Sequence, residues 1–443
     1  MDDNSVRVGV LSFHDSKESK AILNAVEKLG HEPVWLRENN GLLRFTDGTF
    51  VLEPDVDVVI NRLLLSTTKQ PAEAVGFANA IARFRPMVND PDAAALASHK
   101  IAAAAAMVHE GVPIPETALA LGSTTVGRVR PEFGDEFVYK TIVGTHGGGA
   151  WKVHKTDLIT GTVGTRRAFL QELVRTDRER TRDLRVYVVG DRVVGAMYRY
   201  AADEDWRTNV ARGGSVEDAT ESLPDSVEAT ARTATSAVGL DCAGVDLIEG
   251  EDGWFVLEVN PTAGFKGLFE ATGRSPAPVI ARLAIERAGG SVDDDLVETL
   301  RVTLDDSVPS CVPKLVQPIE SEPPVIGLTE RVVVSGTTDT KTIIGRADPV
   351  KSRTRIDLQL AAAIGAGPIQ AGLSGSDQNG HRQRQPVVDV VVGIGGTEQT
   401  VDATVEDRAG KTYPLLLGRD VLADFQIDVG SRYEDRASDS LEE

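Results

Sequence analysis

The chain has 443 residues, room for two to four domains that each bury a core, and its 41% hydrophobic and 26% charged content is that of a soluble globular protein. A formal net charge of −20 argues against a non-specific nucleic-acid surface, which needs clustered Lys and Arg. Two cysteines, Cys242 and Cys311, are too few for a disulfide framework or a Cys-based zinc site and read as inert core residues.

No window approaches ~18 uninterrupted apolar residues, so no membrane span is expected. The acidic start "MDDNSVRVGVLSF" passes directly into a strand-like run, unlike a secretory signal or an Arg-rich transit peptide, and the expected location is the cytoplasm. Acid exceeds base along most of the chain and Lys is scarce beside Arg. This reads as a solvation device of the kind a halophilic protein carries.

In chain order, "VRVGVLSF", "HEPVWLR" and "VDVVINR" read as strands, with "SKESKAILNAVEKLG" and "PAEAVGFANAIARFR" as amphipathic helices. Alternation of this kind predicts a small open α/β domain over residues 1–92. From Ala93 the run "AAALASHKIAAAAAMVHEG" predicts one strong helix stopped at Gly111. Strand-like runs with Gly-rich turns follow, then the helices "DSVEATARTATSAVG" and "PAPVIARLAIERAG", giving an α+β domain over 93–290. Residues 291–324, with "PIESEPP", read as a linker. Short strands such as "RVVVSG" and "VVDVVVGIGG" make 325–434 a β-rich domain. The polar tail 435–443 is expected to be disordered.

Three stretches carry candidate chemistry. "CAGVDLIEGEDGWFVLEVN" reads as a hairpin on the three-residue loop Glu251-Asp252-Gly253, which pairs Gly250 with Trp254, Ile248 with Val256 and Asp246 with Glu258. Two carboxylates facing each other repel unless neutralised, and Asn260 adds an oxygen on the same face. A hard cation such as Mg²⁺ resolves the conflict if it arrives with a nucleotide. A solvent-facing acidic hairpin remains open on these residues alone.

"EFVYKTIVGTHGGGAWKV" is strand, Gly-rich loop and strand, with Lys140 near the end of the first strand. Glycines let amides approach phosphate and a Lys supplies a point charge. The loop fits neither a P-loop nor a dinucleotide fingerprint. In "DLRVYVVGDRVVGAMYRYAADEDWRTNVARGG", Asp183, Arg185, Arg199, Arg207 and Asn209 form a basic concentration in an acidic chain, which suits an anionic substrate.

Together and in this order, Lys100, Lys140 with "GTHGGG", "QELV", "DLRVYVVGDRVVGAMYR", "WRTNVARGG" and "AGVDLIEG…LEVNPTAG" resemble the ATP-grasp ligases of the RimK-like glutamate ligase family, over about residues 1–290. The resemblance implies ATP and Mg²⁺, with Mn²⁺ as an alternative metal. Lys100 and Lys140 would bind ATP phosphates under a flap of Thr145, His146, Gly147, Gly148 and Gly149. The backbone of Glu172 and Leu173 would meet adenine, with Asp183 near the ribose. Arg207 and Asn209 would lie beside the γ-phosphate and the acceptor carboxylate, with Arg199 nearby, and Asp246, Glu258 and Asn260 match the metal ligands. Between Glu172 and Asp183 the spacing is slightly longer than the family's, which weakens the ribose assignment.

The implied activity is a carboxylate–amine ligation through an acyl phosphate, usually adding L-glutamate to a carboxylate acceptor such as a protein C-terminus, a coenzyme tail or a small dipeptide. A ligase acting on an amino-group carrier protein of lysine or arginine biosynthesis is a related alternative. The expected assembly is a homo-oligomer, without nucleic-acid or membrane partners.

Residues from about Val325 to Tyr433 resemble the retropepsin-like domains of the ATP-dependent zinc protease family through "VIGLTERV", "IIGRADPVKSRTRIDLQLA" and "YPLLLGRDVLADFQIDV". Where an active member carries Asp-Thr-Gly, this chain has Asp348-Pro349-Val350. The departure removes the hydroxyl and the permissive backbone that hold such a carboxylate. A role in substrate recognition or subunit contact is therefore expected over a peptidase, and no His/Cys cluster supports zinc. A peptidase or binding module acting through this domain is the reading from a different class.

Overall fold

The structure, a computed structural model, describes residues 5–66, 68, 70–144, 149–157, 159–163, 166–176, 181–201, 206, 208, 214–312, 323–337, 339–367, 369–370, 374–376, 382–395 and 397–433. Its contacts divide the chain into two compact units, residues 1–161 with 167–313 and residues 162–166 with 314–443. Among the described residues no helix is long and apolar enough to cross a membrane.

In the first unit the strands Glu32–Leu36, Arg7–Leu11, Val58–Asn61 and Met87–Val88 lie side by side in that order, all parallel. The helix Lys17–Lys28 starts where the Ser16 side chain accepts from Ser19 N, and it turns Ala21, Ile22, Ala25 and Val26 inward. That core does not end with residue 92. Tyr187, Phe265, Leu268, Ile280, Ile285 and Val297 fill it together with Val8, Ile22 and Ile60. The segment read as a domain of its own thus shares its interior with the later chain.

Three local expectations are corrected. The Ala-rich run from Ala93 is two helices, Pro91–Ser98 and Lys100–His109, broken at His99, whose ring accepts from Ala102 N at 3.1 Å. A cap inside the run overrides its uniform propensity and sets Lys100 at a helix start. The expected linker contains the helix Asp294–Arg301, capped by Asp293 and buried through Val297. Its three successive aspartates are a cap and an acidic first turn rather than linker composition. A hairpin absent from the sequence reading, Leu42–Thr46 with Thr49–Glu53, turns at Asp47-Gly48, both at positive φ, and Asp-Gly is a strong signal for such a turn. Residues 313–322 and the expected acidic tail lie outside the described residues.

Two antiparallel sheets complete the unit. Glu136–Thr141 lies between Ala150–His154 and Arg166–Glu172. The other sheet runs Ser215–Asp218, Arg192–Tyr200, Arg182–Val189, Cys242–Gly250 and Gly253–Asn260. Parallel α/β and antiparallel α+β parts are therefore both present, as expected.

The second unit contains a closed barrel. Starting from Val387–Ile394, the path passes through Thr397–Glu406, Arg355–Asp357, Leu415–Leu417, Thr340–Ala347 and Val325–Ser335, which pairs back onto Val387–Ile394. Val332, Val334, Ile356, Val390, Val392 and Leu415 fill its interior. The Asp348 carboxylate is bound by the guanidinium of Arg355, which also reaches Glu406 at 3.4 Å.

Candidate functional site

Within the first unit a cavity of about 310 Å³ is lined from both antiparallel sheets. One wall is the Cys242–Gly250 and Gly253–Asn260 hairpin. Asp246 does face Glu258, although the reason differs from the expected one. The turn leaves Gly250 paired with Gly253, and Glu249, Ile248 and Leu247 with Trp254, Phe255 and Val256. The expected pairs Gly250–Trp254 and Ile248–Val256 are thus each wrong by one residue. A bulge between Asp246 and Leu247 then restores the expected pairing. Bulges re-aim side chains, and here Leu257 and Glu258 both line the cavity. Gly244, opposite Asn260, is required because an added Cβ would stand 2.5 Å from Ala263 Cβ.

The acidic face is tightly held. Asp246, 4% exposed, accepts from Arg185 Nε at 2.6 Å and Nη2 at 2.7 Å, and pairs with Arg199 Nη2 at 2.9 Å. Arg199, 3% exposed, also grips Asp183 at 2.7 and 2.5 Å, and Thr208 Oγ1 donates to Asp183 at 2.5 Å. Asn260 Nδ2 donates to Glu258 at 3.1 Å and Asp246 at 3.4 Å, so the three side chains converge. Asn260 here turns its amide nitrogen to the two carboxylates; with that amide turned over, two carboxylates and a carboxamide would be a hard oxygen set of the kind Mg²⁺ takes alongside phosphate and water. Among the described residues no three His, Cys, Asp or Glu side chains gather into a larger metal cluster.

Lys100 Nζ lies 3.0 Å from Glu258 Oε2 and donates to Gly144 O at 3.1 Å. Lys140 donates to Gln171 Oε1 at 2.6 Å, and Gln171 Nε2 donates to Thr117 Oγ1 at 3.2 Å. Burial pushes the Lys140 ammonium down to about 8, against the pull of Glu258. Burial also pushes Glu258 up, but Lys100 and Lys140 outweigh it and hold the carboxyl well below the usual carboxylate range. Burial and Arg185 push Arg199 down, and Asp183 and Asp246 reverse this, so its guanidinium stays charged. Lys100, Lys140, Lys152, Arg175 and Arg199 line the cavity against Glu172, Asp183, Asp246 and Glu258, with Arg185 bonded to Asp246, so that inside a chain of net charge −20 the pocket suits polyanions.

Most described candidates meet here. Lys100, Lys140, Gly149, Glu172, Leu173, Asp183, Arg199, Asp246 and Glu258 all line the cavity, and Asn260 bonds to two of them. Gly149 is fixed by sterics, since an added Cβ would collide with Thr141 Oγ1. Asp183 lines the cavity with both its oxygens bonded, to Arg199 and Thr208, as those of Asp246 are to Arg185 and Arg199. Thr145, His146, Gly147, Gly148, Arg207 and Asn209 lie outside the described residues.

Sequence reasoning counted Arg185 only in a basic concentration and gave no role to Gln171, Thr208 or Lys152. Arg185 stands two residues after Asp183 in a strand, so the pleat sets both on one face, a signal that was available. The other three are brought in by pairing and loop placement.

Residues 97–282 match the RimK-like ATP-grasp domain family. A tetrahydromethanopterin:alpha-L-glutamate ligase of Methanocaldococcus jannaschii is 37% identical over 191 residues, 41% of this chain and 64% of that protein. A probable alpha-L-glutamate ligase of Mannheimia succiniciproducens is 30% identical over 282 residues, 59% of this chain and 92% of that protein. Among solved structures, the ATP-grasp ligase PsnB complexed with a phosphomimetic variant of a minimal precursor, Mg and ADP superposes with a TM-score of 0.53 at 19% identity, covering 65% of this chain and all of that one. That likeness extends the agreement to the fold. With a relative 30% identical matched over nine-tenths of its length, the chain belongs to the RimK-like ATP-grasp family of ligases, which form carbon–nitrogen bonds.

Proposed function

We propose that the protein is an ATP-dependent alpha-L-glutamate ligase that activates an acceptor carboxylate as an acyl phosphate and joins it to the amine of glutamate. The observation that carries this is the convergence of Asp246, Glu258 and Asn260 at one end of a cation-lined cavity whose other wall is the Glu172–Leu173 hinge. Relatives bearing that name support the choice of amine.

In this reading the hinge backbone meets adenine, and Lys100 and Lys140 bind phosphate oxygens. Arg199, kept charged and aimed by Asp183 and Asp246, offsets charge developing on the acceptor carboxylate. Mg²⁺, or Mn²⁺ in its place, held by Asp246, Glu258 and Asn260, would neutralise the transferring phosphoryl group. The flap from Thr145 to Gly149, with Arg207 and Asn209, keeps the roles implied by the family. No side-chain nucleophile is needed, since positioning and water exclusion supply most of the rate in such a transfer.

The barrel of the second unit supports a retropepsin-like assignment, and Asp348, bound by Arg355, supports a non-peptidase role for it. Hydrolysis of that type needs two aspartates sharing a proton, which an Arg-bound carboxylate opposes. The amino-group carrier alternative rests on "WRTNVARGG", most of which lies outside the described residues. A cytoplasmic homo-oligomer completes the proposal.

The test is mass spectrometry of cell extract incubated with the purified chain, ATP, Mg²⁺ and isotope-labelled glutamate. A molecule that gains one labelled residue, with ADP released in step, is the expected result. ATP turnover with labelled lysine or another amine in place of glutamate would overturn the choice of donor.

A further inference from the structure

The parallel sheet carries a group that the nucleotide reading leaves unused. Its order sets Glu32–Leu36 on one side of Arg7–Leu11 and Val58–Asn61 on the other, so the chain reverses direction between Arg7–Leu11 and Val58–Asn61. Open α/β sheets bind ligands beyond the carboxyl ends of strands at such a reversal. Here those ends deliver Ser12 and His14 from one strand and Arg62 from the other.

Arg62 is 7% exposed, yet no carboxylate among the described residues pairs with it. Its Nη2 makes only long contacts, to Thr262 O at 3.4 Å and Ala263 O at 3.3 Å, and its Nε is buried without a partner. The guanidinium lies over the Phe265 ring at 5.2 Å. A buried cation held so loosely is costly unless an anion completes it. Burial pushes it down and Glu18 pulls it up, without an ion pair.

Position gives the group a use. Thr262 and Ala263 follow Asn260 directly, and Ala263 packs against Gly244, opposite Asn260 on the metal-binding hairpin. The same loop is tied down by Tyr187, whose hydroxyl donates to Gly264 O, and by Glu18, which accepts from Phe265 N at 3.2 Å. Arg62 is thereby joined to the loop that leaves the Asn260 end of that hairpin. His14, half-buried after the neighbouring strand, has its ring 3.4 Å from Ser12 Oγ and feels the charge of Arg62.

We infer that Arg62, with His14 beside it, binds a carboxylate of the amine substrate at this reversal point, so that the amine is presented to the activated acyl group across the Thr262–Phe265 loop. A planar fork suits a carboxylate, and an amine donor that is itself an amino acid supplies one. The inference rests on the ligase reading and narrows its donor to amines bearing a carboxylate.

The experiment is calorimetric titration of L-glutamate into the full chain preloaded with Mg²⁺ and a non-hydrolysable ATP analogue, with nucleotide affinity measured separately. His14→Ala and Arg62→Lys should each weaken glutamate binding tenfold or more while nucleotide affinity stays within about twofold. The diamide of glutamate, lacking both side-chain and α-carboxylate charges, should not bind the wild type. If Arg62 serves only to bolt the loop, Arg62→Lys will weaken nucleotide and glutamate together and His14→Ala will change neither, which overturns the inference. Should Arg62→Lys fail to fold, His14→Ala and the diamide decide. Glutamate that binds equally well to the wild type and to His14→Ala sinks the site but leaves the ligase reading standing, whereas a wild type that takes up no nucleotide sinks that reading.

Discussion

Asp246→Asn and Glu258→Gln are nearly isosteric changes in two carboxylates that face each other, and the structure gives them different consequences. Asp246 is 4% exposed and compensates two guanidiniums at 2.6–2.9 Å. Removing one partner of a buried pair costs about 3–5 kcal/mol. Arg199 keeps Asp183 and the new amide oxygen still accepts one bond, so the low end, about 3 kcal/mol, is expected. Glu258 meets Lys100 where their side chains are 30% and 19% exposed, so partial solvent screening leaves that pair worth less than the more deeply buried ones at Asp246. Both variants remove a metal ligand in the proposed site. A nucleotide at a hundred times its Kd stabilises the wild type by about 2.7 kcal/mol. Chemical denaturation, with and without Mg²⁺ and an ATP analogue, reads both quantities. Glu258→Gln should lose most of the ligand-induced gain at the smaller basal cost, and Asp246→Asn should lose both. An unchanged ligand gain in Glu258→Gln, or equal basal losses in the two variants, would refute the reasoning.

Lys140 supplies a pH signature. Its folded value, about 8, lies below the ordinary lysine value, so the unfolded chain binds the extra proton between about 8 and 10.5 and this group's contribution to stability rises with pH across that window. Phosphate needs the protonated form, so nucleotide affinity should fall up to tenfold per pH unit above 8, a slope that Lys140→Met abolishes; fluorescence titration from pH 7 to 10 measures it. Gly149→Ala should weaken nucleotide binding tenfold or more through its collision with Thr141 Oγ1, and adding Thr141→Ala should recover most of the loss, as a double-mutant cycle will show. Because Asp348 is bound by Arg355, the chain should cleave no denatured casein between pH 3 and 7, and Asp348→Asn should leave that blank unchanged.

The elements that the sequence made legible are those governed by local pattern. The helices Asp225–Ala237 and Ala277–Arg287 carry a 3.6-residue apolar period, and the hairpin strands carry a period of two, so both could be read before any pairing was known. What failed depended on a single side chain competing with a trend. His99 breaks an alanine-rich helix by capping Ala102, and Asp293 turns a linker-like acidic run into a helix start. Composition averages over such residues and therefore misses them.

The site divides in the same way. Asp246, Glu258 and Asn260 were legible because two lie two residues apart and the third faces them across one turn, even though the turn was miscounted and a bulge made up the difference. Lys100, Lys140 and Asp183 are far apart in sequence; the Gly-rich loop pointed to Lys140, and likeness to a family brought the three together. For Asp183 a motif position does not say which partners the carboxylate has in the fold. Arg199 and Thr208 take both its oxygens. That commitment has a use: a guanidinium gripped by Asp183 and Asp246 is aimed before substrate arrives, so less reorganisation is left for the moment of reaction. The same geometry explains why an otherwise apolar sheet tolerates so many buried charges. Each carboxylate there meets a cation at 3.0 Å or less, so burying the set costs far less than burying its members singly.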